Sequence, residues 1–188
     1  MTGENLGRKS NCRLYTYSLL VFPIGNIKKQ GEQWAEFREV QRQAMEIENT
    51  AMVQAYDVGE YNDLHPMDKK ALGMRAALAV HKLVYGEKEE CTGPQVRKIR
   101  LDRDKRVYAV FDQPLQTGSK KDGCELVSEV ELRKANGDYK RAYVTVDGNE
   151  ICAWLSDGEE PTGIRYAWKD CPMNICLYGK RDFRSYHL

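Results

Sequence analysis

The sequence lacks most of the features that mark membrane, nucleic-acid-binding and metal-binding proteins. Its longest apolar run, Tyr17–Gly25, is too short to span a bilayer. Lys and Arg total 29 against 28 Asp and Glu, so a net charge of +1 gives no global attraction to nucleic acid or to an anionic membrane. The three histidines are scattered and no Cys-x-x-Cys occurs, which argues against a zinc site. We therefore expect no metal, no nucleic-acid partner and no membrane partner.

A clear export signal is also missing. The apolar stretch near the N-terminus has no evident small-residue cleavage site after it, so we expect a cytoplasmic protein. The six cysteines permit disulfides without requiring them, and free thiols in a reducing compartment are the simpler expectation. If the chain is secreted, the closest pair, Cys171 and Cys176, is the candidate for a bridge.

Hydrophobic periodicity predicts an α/β region over residues 31–90, after an unassigned segment over 1–30 that holds a candidate strand at 19–22. The α/β region reads as a helix, a mostly buried strand and a second helix, over 32–47, 51–56 and 67–85. The first helix is predicted to bury Trp34, Phe37, Val40, Ala44 and Ile47. The second helix is predicted to bury Leu72, Ala76, Ala79, Val80 and Leu83, with Gly86 after its end.

Residues 91–188 have a different pattern, which predicts an antiparallel β-sandwich domain. Short alternating runs recur at 95–100, 106–111, 125–132, 141–146, 150–155 and 163–168. Turn signals separate them at Asp122-Gly123, Asn136-Gly137, Asp147-Gly148 and Asp157-Gly158. The fold class is therefore α/β plus all-β.

The loop between the predicted strand and the second helix carries the strongest chemical signal. His65 stands two residues after Asp63 and directly before Pro66. A general base needs an imidazole that is able to take a proton and a carboxylate that fixes its tautomer. A loop that leaves the carboxyl end of a strand is also where α/β sheets place catalytic groups.

An ordered set of motifs resembles the C-terminal half of the sialate O-acetylesterase family of carbohydrate esterases. The resemblance covers about residues 31–188. It rests on Trp34–Gln41, Asp63–Pro66, Lys69–Arg75, Gly163–Trp168, and then Pro172, Asn174, Leu177-Tyr178 and Phe183-Arg184.

This resemblance implies a partial SGNH-type α/β layer and a serine hydrolase that removes acetyl groups from O-acetylated sugars or sialic acids. It implies that His65 is the catalytic base and Asp63 its carboxylate partner, with no metal or organic cofactor. In the general SGNH pattern the acid lies three residues before the histidine, and that position here is Asn62. The resemblance leaves secretion of full-length relatives open.

The family's nucleophile block, a Gly-x-Ser-type turn, and its Trp-Tyr-Gln-Gly-Glu block are absent from these 188 residues. The only serine after a glycine is Ser119, in a predicted hairpin tip. We therefore expect an incomplete and inactive fragment of an ester hydrolase. Two alternatives stay open: a non-catalytic carbohydrate-binding or interaction module, and a half-domain that a separate, complementing chain completes.

Other candidate residues have simpler structural interpretations. Asp57 is expected to end a strand, and His81 to be structural within the second helix. The strand residues Arg165, Tyr166 and Trp168 offer a sugar-facing platform, although alternating strand residues more often divide between core and surface. The basic clusters are expected to be solvated; they are Lys120-Lys121 and Arg97-Lys98-Arg100.

Overall fold

The chain divides into two compact units, with a border between Thr92 and Gly93. The structure, a computed structural model, describes residues 13–16, 33–55, 57–59, 67–88, 90–117, 129–170, 172 and 176–179. The first unit holds strand β1 and the described residues of Phe37–Thr92, and the second holds residues 33–36 and those from Gly93 onward. The candidate strand at 19–22 lies outside the described residues.

Two helices and two parallel strands form the N-terminal part. The elements are β1 (Arg13–Thr16), α1 (Gln33–Gln43), a 3-10 turn (Ala44–Glu46), β2 (Thr50–Val53), α2 (Lys69–Val80) and a π-helical turn (His81–Tyr85). Strand β1 pairs with β2 in parallel, and α2 lies against both strands. Gly86 ends the π-helical turn at a φ of 70°, a left-handed conformation that glycine adopts without steric cost.

The core of the first unit is small. Val53, Ala79 and Cys91 are buried, with Ala51, Leu72, Ala76 and Leu78 packed against them. The buried stripe predicted for α2 is confirmed at Leu72, Ala76 and Ala79, and β2 is the predicted strand. Four consecutive residues, 52–55, are buried, as in a strand covered on both faces.

Helix α1 is confirmed, but its predicted buried face is wrong. Phe37, Val40 and Ile47 are 49%, 61% and 49% exposed, whereas Ala35 and Arg38 are buried. The hydrophobic periodicity found an apolar stripe on α1, but this stripe faces away from the core. The face of α1 that is buried instead carries small and amphipathic residues. Arginine can bury its aliphatic stem and still be counted as polar in a sequence pattern.

The second unit consists of antiparallel sheets. Its strands are β3 (Val96–Leu101), β4 (Val107–Phe111), β5 (Gln116–Thr117), β6 (Val130–Arg133), β7 (Tyr139–Arg141), β8 (Tyr143–Asp147), β9 (Glu150–Trp154), β10 (Gly163–Tyr166) and β11 (Leu177–Tyr178). Among the described residues they form a four-stranded sheet in the order β3-β4-β9-β8, a three-stranded sheet in the order β10-β6-β7, and the pair β11-β5. All six predicted strands are present, and β5, β7 and β11 were not predicted.

Two of the predicted turns join hairpins. Asn136-Gly137 connects β6 to β7, and Asp147-Gly148 connects β8 to β9. The glycines have φ values of 93° and 58°, which explains the residue type at these positions. The Asp122-Gly123 turn lies outside the described residues.

The core of the second unit is larger and contains whole aromatic and branched side chains. Phe111, Leu132, Ile151 and Tyr166 are almost completely buried. The Tyr166 hydroxyl accepts hydrogen bonds from the backbone N–H groups of Cys176 and Leu177, at 3.1 and 3.2 Å. The predicted combination of α/β and antiparallel β structure is thus confirmed, while an SGNH-type layer and sandwich packing stay predictions. In the described ranges, neither helix has the length and apolar character needed to cross a membrane.

Candidate functional site

The candidate catalytic loop runs from the end of β2 to the start of α2. Its two predicted site residues, His65 and Asp63, lie outside the described residues, as does Asn62. The structure describes both ends of the loop, at residues 54–59 (except 56) and from Met67 onward. The contacts at these two ends show how the chain is held before and after the loop.

An ion pair anchors the end of the loop that follows β2. The Arg75 guanidinium donates two hydrogen bonds to the Asp57 carboxylate, both at 2.7 Å, and a third to the Gln54 carbonyl at 2.8 Å. Only 12% of the Arg75 side chain and 8% of the Asp57 side chain are exposed. This bidentate pair ties α2 to the chain directly after β2. Asp57 therefore has a structural role, although not the expected one of ending the strand, because β2 ends at Val53.

A helix cap anchors the other end. The Asp68 carboxylate accepts a hydrogen bond from the backbone N–H of Ala71 at 2.9 Å. An N-cap satisfies one of the amide groups that the first turn of a helix leaves unpaired. A bidentate ion pair thus holds the described residues before the loop, and a cap holds those after it.

His81 is placed apart from this loop, in the π-helical turn. Its Nδ1 lies 3.0 Å from Glu87 Oε1, and its ring centroid lies 5.4 Å from that of Tyr85. About half of the His81 side chain is exposed. These contacts are consistent with the structural role expected for His81.

The suggested sugar platform on β10 does not form as such. Tyr166 is completely buried, and its hydroxyl binds backbone amides. Arg165 donates to Glu131 at 2.7 Å, and its guanidinium lies 3.8 Å above the Tyr139 ring. Two of the three residues are therefore occupied by contacts within the protein. The burial along β10 does not alternate strictly, since residues 163–165 are half-buried and Tyr166 is fully buried.

The basic clusters are paired or solvated. Arg97 donates to Asp112, and Arg100 pairs with Asp102 and Glu150 while stacking 3.7 Å above Tyr108. Lys120 and Lys121 lie outside the described residues. No group of three His, Cys, Asp or Glu side chains able to hold a metal ion occurs in the described part of the chain.

One cysteine contradicts the expectation of free thiols. Cys176 is disulfide-bonded, and its partner lies outside the described residues, whereas Cys91 and Cys152 are free. The expectation was wrong at Cys176 because chain length and the missing signal say nothing about which sulfur atoms the fold brings within bonding distance.

The role of Arg75 was not foreseen, although Arg75 closes one of the motifs quoted above. A weak signal was present: an arginine that becomes buried between a helix and a strand is stabilised by a nearby carboxylate, although the sequence does not say which arginines are buried. Asp57 was the first acid after β2.

Comparison with solved structures gives a clear likeness in fold. The chain is similar to the crystal structure of a novel carbohydrate acetylesterase from Xanthomonas citri, with a TM-score of 0.82 and 24% sequence identity. The likeness covers 93% of this chain and 40% of that chain. At this identity it establishes the fold alone. No protein-family model matches the chain. No curated protein matches it either.

Proposed function

We propose that this chain supplies the histidine-bearing part of a serine-dependent carbohydrate O-acetyl ester hydrolase. The observation that carries the proposal is the likeness of 93% of the chain to part of a carbohydrate acetylesterase. The ordered motifs from Trp34 to Arg184 support the same class. The finer substrate, an O-acetylated sugar such as an acetylated sialic acid, and the SGNH type of the α/β layer rest on those motifs.

In this proposal His65 takes the proton of a seryl nucleophile and then returns it to the leaving group. Asp63 holds the imidazole in the required tautomer and stabilises the imidazolium that forms. The Asp57–Arg75 pair and the Asp68 cap act as positioning groups, because they fix the two ends of the loop. If the two ends of its loop are fixed, the base has less conformational entropy to lose when it is positioned for proton transfer.

The nucleophile comes from polypeptide outside these 188 residues. The chain spans 40% of the length of its structural neighbour, and neither the family's Gly-x-Ser-type turn nor its Trp-Tyr-Gln-Gly-Glu block occurs in it. The missing part is supplied either by a longer form of this protein or by a complementing chain. By itself, the chain described here is an incomplete and inactive part of the hydrolase.

The first experiment measures hydrolysis of p-nitrophenyl acetate by the purified chain and by its His65→Ala variant. Acyl transfer needs the nucleophile, the base and the oxyanion donors together, so we expect equal rates. A large rate that depends on His65 would show that the chain already contains its nucleophile.

The second experiment uses the chain joined to the missing polypeptide, if the DNA upstream of Met1 encodes it, with deacetylation of an O-acetylated sugar as the readout. His65→Ala should lower kcat by several orders of magnitude and Asp63→Asn by about 10²–10⁴-fold. His81→Ala is the matched control and should change kcat only slightly. If Asp63→Asn is silent and Asn62→Ala abolishes activity, the acid has been assigned to the wrong residue.

If neither the chain nor its extended form deacetylates the sugar but both bind it, the protein is a non-catalytic carbohydrate-binding module.

The cellular compartment of the protein can be tested separately. The disulfide at Cys176 supports an oxidising environment, because cytosolic reductants keep most thiols reduced. Mass spectrometry of the natural protein, alkylated without reduction, should therefore recover Cys176 unlabelled.

A further inference from the structure

The outer face of the four-stranded sheet carries a stacked aromatic pair. Tyr143 on β8 is directly opposite Trp154 on β9 in the antiparallel register. Their ring centroids are 6.0 Å apart and their planes differ by 19°. Because β8 is the edge strand of the sheet, the Tyr143 ring is 55% exposed. Because one face of each ring is turned towards the other, the exposed aromatic surface of the pair is mainly that of Tyr143.

This surface forms one wall of a groove of about 570 Å³. The groove lies where the chain passes from β7, in the three-stranded sheet, to β8, in the four-stranded sheet. It is lined by Arg141, Ala142, Tyr143, Val144, Thr145, Trp154 and Ser156. Its volume falls within the range of about 300–1,000 Å³ that is usual for small-molecule sites.

The lining has a distinct polar composition. Among the described residues that line the groove, Arg141 alone is charged. Its partner across the β6–β7 register is Glu131, whose carboxylate pairs with Arg165, and no described carboxylate forms an ion pair with Arg141. Thr145 and Ser156 add two hydroxyl groups that can donate and accept hydrogen bonds. A second cation is nearby but already engaged, because Arg106 pairs with Asp104 at 3.1 Å and lies 5.0 Å from the Trp154 ring centroid. The described lining thus combines an aromatic wall, two hydroxyls and one positive charge that no described carboxylate pairs.

We propose that this groove binds a sugar ring that carries a carboxylate. The C–H face of the sugar stacks on the exposed Tyr143 ring, which Trp154 supports from behind, Arg141 pairs with the carboxylate, and Thr145 and Ser156 bind ring hydroxyls. A cation that no described carboxylate pairs favours an anionic ligand over a neutral one. The choice of a sugar over another ring-bearing anion rests on the proposed carbohydrate esterase function.

The experiment measures binding of unacetylated sugars to the full chain by calorimetry. The acidic probes are trigalacturonate and glucuronic acid, and the neutral control is the trisaccharide made by reducing the carboxyl groups of trigalacturonate. We expect Arg141→Gln to weaken trigalacturonate at least tenfold and to leave the neutral trisaccharide unchanged. Tyr143→Ala should weaken both trisaccharides, and Tyr143→Phe should restore most of that loss because it keeps the ring.

Two matched variants control for general effects. Arg103→Gln removes an exposed arginine outside the groove, and Tyr85→Ala removes an exposed tyrosine from the first unit. Both should bind like the unmodified chain. The proposal is overturned if no acidic probe binds, if the neutral trisaccharide binds as tightly as the acidic one, or if Tyr143→Ala binds normally. None of these readouts involves turnover, so an inactive His65 would leave the result for the groove unchanged.

Discussion

The described residues of the two units differ in how far they bury their apolar side chains. In the second unit, Phe111, Leu132 and Ile151 are almost fully buried, and the described strands include a three-stranded and a four-stranded sheet. In the first unit the described sheet has only two parallel strands, and the core centres on Val53, Ala79 and Cys91. Parallel sheets are normally covered on both faces and contain more strands than two.

The exposed apolar residues show the same contrast. Of the ten large exposed hydrophobic side chains among the described residues, six belong to the first unit: Phe37, Val40, Ile47, Met67, Met74 and Tyr85. Met74 and Tyr85 are on the face of α2 and its π-helical turn that faces away from the core cluster. The described part of the first unit therefore combines a small core with a large exposed apolar surface. This comparison predicts that the first unit is the less stable of the two.

The largest effect is expected from truncating the core of the second unit. Leu132→Ala should lower the free energy of unfolding of this unit by about 4 kcal/mol, because the buried methyl groups are lost and a cavity remains. Urea unfolding followed by tryptophan fluorescence measures the change. Leu101→Ala, which truncates an exposed leucine in the same unit, should have little effect. Equal effects would mean that the two leucines are equally buried in solution.

Breaking the Asp57–Arg75 pair should have the next largest effect, on the first unit. Arg75→Met leaves a nearly buried carboxylate without its guanidinium and should cost about 3 kcal/mol. The double variant Arg75→Met/Asp57→Leu should recover part of that loss, because no unpaired charge remains. Hydrogen exchange of β2 measures both. Protection of β2 that is unchanged in Arg75→Met would show that the pair does not stabilise the first unit.

A smaller effect is expected from removing one hydroxyl in the second unit. Tyr166→Phe leaves the buried amides of Cys176 and Leu177 without their acceptor and should cost about 2 kcal/mol. The change in the midpoint of thermal unfolding measures it. Tyr139→Phe, at a partly exposed ring, is the control. An unchanged unfolding midpoint in Tyr166→Phe would mean that both amide N–H groups donate to another acceptor.

The smallest effect is expected at the surface cluster of Lys134, Asp157 and Glu159. The backbone N–H of Glu159 and the Lys134 ammonium hold the pKa of Asp157 below its ordinary value of 3.8. The stabilisation is therefore present above pH 3.8 and is lost as the pH falls through the lower folded-state value. Asp157→Asn should lower Tm slightly at pH 7, and the difference should disappear in strong acid. A difference that grows on acidification would contradict this assignment.

The strands of the second unit were predictable because their alternation and their turn residues agree. The position of the aromatic pair was predictable too. With residues 148 and 149 as the hairpin loop, Asp147 pairs with Glu150, and counting outward places Tyr143 opposite Trp154. The short strands β5 and β11 were missed because two residues are too few to show any period.

The inward face of α1 and the partner of Arg75 were less accessible to sequence analysis. Apolar periodicity finds a stripe but does not say which neighbour covers it, and the stripe with Phe37 and Val40 is exposed here. The ion pair joins residues 18 positions apart, so it depends on how α2 packs beside β2. The disulfide of Cys176 depends on tertiary distance in the same way.

The most direct test compares the unfolding of the two units in one urea titration of the full chain. Burial raises the pKa of the Cys91 thiol, against the opposing charge of Lys82, so its alkylation should be slow until the first unit opens. All three tryptophans, at 34, 154 and 168, belong to the second unit and report on it by fluorescence. Pulsed alkylation of the Cys91 peptide, followed by mass spectrometry, should have its midpoint at lower urea than the fluorescence transition. Coincident midpoints would contradict the account, because the first unit would then be as complete and as stable as the second.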